Sequence, residues 1–201
     1  MSAELAFVGD IHGNLRALQG LWSALNHYEL PHVVFLGDYI NKGPHSADVV
    51  RALIEHSEAG RATLLAGNHE TALLGALDRG DLSGFLKMGG AATIRSYVGG
   101  RVGADVLRDF QASLPAEHIE ALRRMPIGYE TANLVAHHIP ARDTSKFQVS
   151  AHLPIGDLPR VGHRSAQIDT GCGSAHGRLT ALFWPALDYI QVDSNGTVIG
   201  R

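Results

Sequence analysis

With 201 residues, 45% of them hydrophobic, the chain has the apolar material for one substantial core, and a single domain over residues 1–201 is expected. A net charge of −3 leaves no polybasic footprint, which argues against sequence-independent binding to nucleic acid or to an anionic membrane surface. No apolar stretch approaches the roughly 20 residues that span a bilayer, the amino terminus lacks the basic and apolar regions of a secretion signal, and Cys172 is the only cysteine, so a protein of the reducing cytoplasm is expected.

The first seventy residues alternate regularly. Apolar runs at 5–8, 33–36 and 62–65 read as strands. Between the first two, Leu15, Leu18, Leu21, Trp22 and Leu25 recur at helical spacing, which predicts an amphipathic helix beginning near Asn14. A second helix is predicted after Pro44 and Ser46, with Val49, Val50, Leu53 and Ile54 on its buried face. Strand, helix, strand, helix, strand is a βαβαβ unit with a parallel sheet. Helices are then predicted at 71–77, 82–87, 91–97, 104–113 and 116–124, punctuated by glycines. From Ile127 onward the pattern changes to short strands at 127–131, 133–136, 148–151, 165–169, 178–184 and 189–192, and Asn195-Gly196 before 197–199 signals a hairpin. This second half leans antiparallel. The order fits an α/β fold of two mixed sheets packed together with helices outside, a four-layer αββα sandwich.

The chemistry gathers at strand ends. Gly9-Asp10-Ile11-His12-Gly13, Gly37-Asp38 and Gly67-Asn68-His69-Glu70 each close one of the three apolar runs. In an open α/β sheet that edge is where ligands bind, and oxygen and imidazole donors are what borderline divalent metals require. A carboxylate such as Asp38 can bridge two cations. Later strands run into further donors, His137-His138 and His152. A lone Asp after a strand is usually a helix N-cap, but three blocks in order at intervals of 28 and 30 residues are a far more specific pattern.

These blocks, with Gly37-Asp38-Tyr39-Ile40-Asn41-Lys42-Gly43, resemble the calcineurin-like metallophosphoesterases, and within them the phosphoprotein-phosphatase branch with its small bacterial and phage members. The resemblance continues through Gly89-Gly90-Ala91-Ala92-Thr93, Leu114-Pro115 and Ile168-Asp169-Thr170-Gly171-Cys172 to Leu179-Thr180, nearly the whole chain. It implies two divalent ions (manganese, iron or zinc), the first held by Asp10, His12 and Asp38, the second by Asp38, Asn68, His137 and His152. His137 is preferred to His138 because it follows the strand directly, and His152 to His163 by its distance of 16 positions from Ile168. A hydroxide formed between two such ions is implied as the nucleophile, His69 as the general acid, and Asn41 and Lys42 as its supporting pair. Lys42 and Asn68, with Arg142 as a further candidate, are implied to bind substrate.

The branch usually carries Asp then Arg where this chain has Asn41 and Lys42. An ammonium neutralises phosphate as a point charge without Arg's fork, and Asn41 supports a protonated His69 less than a carboxylate would. The segment between His137 and His152 is also short. The expected function is a serine/threonine protein phosphatase-like phosphomonoesterase acting on a phosphorylated protein or small phosphoester. The alternatives are a dinucleoside polyphosphate hydrolase and a catalytically weak metal-binding scaffold.

Overall fold

Four consecutive buried residues, Leu5–Val8, form strand β1 in the middle of the first sheet, and an unbroken apolar run is what a strand covered on both faces needs. Alternation divides its side chains: Leu5 and Phe7 face the second sheet, while Ala6 and Val8 face the helices. The computed structural model describes residues 5–28, 30, 32–140 and 144–200. Helix α1 (Leu15–Leu25), strand β2 (Val33–Phe35), helix α2 (Ser46–Glu58) and strand β3 (Ala62–Leu64) complete the expected βαβαβ unit, with β1 parallel to β2 and β2 parallel to β3. Asn14 caps α1 by accepting the Ala17 N–H at 3.0 Å, and Leu18, Leu21 and Leu25 are buried on its inner face.

Helices α3 (Asn68–Arg79), α4 (Ser83–Lys87), α5 (Gly90–Val98), α6 (Val106–Ser113) and α7 (Ala116–Arg124) follow. Helix α3 starts three residues earlier than its periodicity predicts, because the Glu70 carboxylate accepts the Gly67 N–H (3.0 Å) and so satisfies an otherwise orphaned donor. The second sheet contains β4 (Gly128–Glu130), β5 (Leu134–His137), β6 (Phe147–Ser150), β7 (Arg160–Val161) and β8 (Ser165–Gln167), in the order β4-β5-β6-β8-β7. The chain then returns to the first sheet through β9 (Leu179–Trp184), β10 (Tyr189–Val192) and β11 (Val198–Gly200), an antiparallel meander that pairs with β1 through β9. The first sheet is therefore ordered β11-β10-β9-β1-β2-β3.

Two mixed sheets flanked by helices is the expected architecture. The antiparallel expectation for the second half holds for β9–β11 but not for the middle of the second sheet. There β5 pairs with β6, and β6 with β8, in parallel. The residues between these strands serve as crossovers, which parallel neighbours require. The functional consequence is direct: β5 and β6 end at the same edge of their sheet. Between the sheets, Leu5, Phe7, Val34, Leu36 and Leu65 meet Leu134, Ala136, Val149, Ala151, Ala166 and Ile168.

Candidate metal centre

The carboxyl ends of β1, β2 and β3 converge with those of β5 and β6. Asp10 and His12 follow β1, Asp38 follows β2, and Asn68 opens α3 after β3. Two glycines let these loops close together. A side chain at Gly67 would lie 2.2 Å from Asp38 Oδ1, and one at Gly173 2.4 Å from His12 Cβ. Six non-glycine residues adopt positive φ among those described: His12, Asp38, Asn41, Lys42, His152 and Leu187. Five of the six lie at this centre, so backbone strain is concentrated where the donors gather.

Glu70 holds the strained Asp38 loop. Its buried carboxylate accepts the N–H groups of Asp38 (2.9 Å), Tyr39 (2.9 Å) and Ile40 (3.4 Å). Burial, then the charge of Asp38, pushes its pKa up to about 7 against those donors. Thr93 does the same for the next turn. Its hydroxyl accepts the Asn41 N–H (2.8 Å) and donates to Asn41 Oδ1 (2.7 Å).

One donor set comprises Asp38 Oδ1, Asn68 Oδ1, His138 Nε2 and His152 Nδ1. His138 Nε2 lies 2.8 Å from Asn68 Oδ1, 3.0 Å from His152 Nδ1 and 3.3 Å from Asp38 Oδ1, and His152 Nδ1 is 2.9 Å from Asn68 Oδ1. The His138 Nδ1–H donates to the Leu36 carbonyl at 3.1 Å, which fixes the tautomer and turns Nε2 into the cluster. A second set comprises Asp10 Oδ2, His12 Nε2 and Asp38 Oδ2. His12 Nε2 is 3.5 Å from Asp10 Oδ2 and 3.9 Å from Asp38 Oδ2, while its Nδ1–H donates to the Ile40 carbonyl at 3.0 Å. Asp38 thus presents one oxygen to each set.

The donor chemistry fits divalent cations. Metal–ligand bonds of about 2.0–2.2 Å put neighbouring donors about 3 Å apart, the spacing seen in the first set. Asp10 Oδ2 is buried with no hydrogen-bond partner, an orphan that a cation would satisfy. Burial, the nearby charge of Asp169 and then that of Asp38 raise the Asp10 pKa well above the usual carboxylate range. Asp38 behaves oppositely: burial raises it, but the His138 hydrogen bond and the surrounding imidazoles outweigh that and hold it at about 2. Burial also opposes protonation of His138, and there Asp38 and Asp10 prevail and raise its pKa. Burial lowers His12 and His152, helped by Lys42 at the first and His138 at the second.

The structure brings Asp10, His12, Asp38, Asn68 and His152 together but not His137, the histidine expected beside them. His138, not His137, joins the cluster. Leu134 and Ala136 point between the sheets, so His138 continues their face and His137 takes the other. The His137 ring lies against Gly128 and bonds the Ile127 carbonyl at 3.2 Å. Arg142 lies outside the described residues. Three further residues belong to the site without an assigned role in the sequence reading: Glu70, Thr93 and Asp169, which is buried after β8 and acts on Asp10. All three stand in blocks that carry the resemblance, and a buried acid or hydroxyl beside a ligand loop is the signal that marks them.

His69 Nε2 lies 3.7 Å from Asp38 Oδ2, and its Nδ1 accepts the Asn41 amide NH₂ at 2.7 Å. Because Thr93 already donates to Asn41 Oδ1, the amide faces His69 as a donor, and a neutral imidazole is favoured. Burial is the largest cause lowering the His69 pKa to about 4, with the Asp38 charge opposing and His12 and Lys42 assisting. The Lys42 ammonium donates to His12 Nε2 at 2.7 Å from the exposed side of the centre.

A family model described as calcineurin-like phosphoesterase matches residues 3–182. The chain belongs to that family. It is 37% identical over 84 residues to serine/threonine-protein phosphatase 2 of Escherichia coli, a match spanning 41% of this chain and 37% of that protein. It is 23% identical over 259 aligned positions to the asymmetrical bis(5'-nucleosyl)-tetraphosphatase PrpE of Halalkalibacterium halodurans, covering 98% and 97% of the two chains. Among solved structures, one titled a putative diadenosine tetraphosphatase superposes with a TM-score of 0.71 at 21% identity, covering 96% of this chain and 94% of that one. The first curated relatives are matched over well under half of their own length.

Proposed function

We propose that this chain, acting as one domain, is a phosphoester hydrolase dependent on two divalent cations (manganese, iron or zinc), with phosphoserine- and phosphothreonine-type monoesters as its leading substrates. The observation that carries this reading is the Asp38 carboxylate, whose two oxygens face two separate donor sets. Asp10, His12 and Asp38 would hold one cation, and Asp38, Asn68, His138 and His152 the other. When bound, the pair would supply Lewis-acid polarisation of the phosphoryl group and activation of water. Lys42, at the mouth, offsets phosphate charge as a point cation. His69 presents Nε2 towards the site to donate a proton to the leaving oxygen. With its pKa near 4 and Asn41 favouring the neutral ring, that donation is weak at neutral pH.

A second reading, hydrolysis of a dinucleoside polyphosphate, is supported by the tetraphosphatase names of the relatives that align over nearly the whole chain. No helix of the described residues is long and apolar enough to cross a membrane. We place the protein in the reducing cytoplasm, in keeping with its lone, buried Cys172 thiol.

The test is phosphate release from para-nitrophenyl phosphate, a phosphoserine peptide and a dinucleoside tetraphosphate, with manganese and then with excess chelator. The reading expects manganese-dependent release, lost on chelation. Bound metal without turnover of any of the three would contradict it and leave a metal-binding scaffold.

A further inference from the structure

A cleft of about 670 Å³ opens beside the centre, and two donors of the first set, Asn68 and His138, are among the residues that line it. Its apolar walls are Ala66, Ala72, Met88, Ile127 and Ile139. Ile127 is 80% exposed and Ile139 54% exposed. Large apolar side chains left in water around a reaction centre mark a surface that binds a ligand. The Ile127 wall is also fixed in place. The His137 ring bonds its carbonyl at 3.2 Å, and the preceding Pro126 carbonyl accepts the Ala66 N–H at 2.9 Å, which ties this segment to the end of β3.

One side chain of fixed charge lines the cleft, Arg79, at the carboxyl end of α3. Its guanidinium folds back over Gly75, where a Cβ would lie 2.9 Å from Nη1. Glycine is unfavourable inside a helix, and here the missing side chain is the space the guanidinium occupies. Arg79 is exposed and has no hydrogen-bond or ion-pair partner for its guanidinium among the described residues. The two nearest carboxylates are engaged elsewhere, Asp78 by Arg123 and Asp81 by the Ser83 N–H at 2.8 Å, and Arg79 reaches them through charge alone.

The cleft is therefore apolar beside the centre and cationic at its far end. Gly75 stands seven residues along α3 from Asn68, about 10 Å at 1.5 Å per residue, and an extended peptide covers that span in about three residues. Because the lining includes two donors of the centre, whatever fills the cleft is continuous with the group that reacts there. Resting on the phosphoester-hydrolase reading of the centre, we propose that this cleft binds the peptide that flanks a phosphorylated residue, with Ile127 and Ile139 against an apolar neighbour of that residue and Arg79 paired with a carboxylate about three positions away. Arg79 is then a specificity-determining residue, and the protein selects phosphorylated segments that are apolar next to the phosphate and acidic beyond it.

The experiment measures kcat/KM of the full chain, with manganese, on phosphoserine peptides that differ only in carrying Glu or Lys three positions before or after the phosphoserine. The wild type is expected to favour Glu over Lys about tenfold in one of the two placements. Arg79→Gln should bring that ratio close to one, and Arg79→Glu should invert it, a reversal that a merely structural role at the helix end would not produce. Ile127→Ser should lower the preference for Leu over Gly beside the phosphoserine about fivefold. A wild-type ratio near one in both placements, or a ratio that Arg79→Glu leaves unchanged, would overturn the assignment. So would a chain that hydrolyses para-nitrophenyl phosphate but none of the peptides. Failure on para-nitrophenyl phosphate and peptides alike would instead remove the reading of the centre on which the cleft's role rests.

Discussion

The two sheets contribute unlike things to the same centre. The first supplies both carboxylates, Asp10 and Asp38, the latter on a loop held in left-handed backbone by Glu70 and Thr93. The second supplies imidazoles, His138 and His152, one of them oriented by the Leu36 carbonyl of the first sheet. Charge and strain thus come mainly from one half, and soft orientable donors from the other. The centre exists only where both edges meet, which is why the parallel pairing of β5 with β6 matters: an antiparallel partner would carry His152 to the far end of the sheet.

Removing charge from the first half should have the largest effect. Asp38→Asn keeps shape but takes the shared carboxylate from both donor sets, so turnover of para-nitrophenyl phosphate should fall on the order of 1000-fold, beyond the roughly 100-fold ceiling of outer-sphere changes. Metal content by mass spectrometry should fall with it; retention of two ions and of activity would show that the halves do not divide the work this way.

In the second half, His138→Gln should cost about 100-fold or more in activity and lower metal content, whereas His137→Gln, on the outer face, should stay within about twofold. The reverse ranking would undo the strand-face assignment.

The smallest effect concerns proton supply. Asn41→Asp replaces a donor facing His69 Nδ1 with an acceptor, so the imidazolium is favoured and the His69 pKa rises from about 4. The rate on an alkyl phosphate should increase roughly tenfold at neutral pH relative to para-nitrophenyl phosphate. The sign with pH is fixed: the alkyl-to-aryl ratio falls as pH rises through the His69 pKa, and the variant holds its ratio to higher pH than the wild type. An unchanged ratio profile would exclude this role for the pair.

Much of this was legible in the sequence, and unevenly so. The βαβαβ half declared itself because its strands are separated by amphipathic helices and end in Asp, His and Asn. The second half was harder. In Leu134-Val135-Ala136 every residue is apolar, so alternation gave no parity from which to choose between His137 and His138. The inward burial of Leu134 and Ala136 puts His138 on the face of the cluster, and burial needs the partner sheet. Parallel pairing was hidden for a similar reason, since short connections with no helical periodicity in their sequence resemble hairpin loops. The Asn41–His69 contact was anticipated, but its direction depends on Thr93, 52 positions away. Glu70 was visible as a residue and invisible as a function, because its work is on backbone N–H groups that no side-chain pattern reports.

The most direct measurement is anomalous diffraction from crystals of the chain equilibrated with manganese. Two peaks are predicted, flanking the Asp38 carboxylate, one bounded by Asp10 and His12 and the other by Asn68, His138 and His152. A peak beside His137, or no peak at Asp38, would contradict the account.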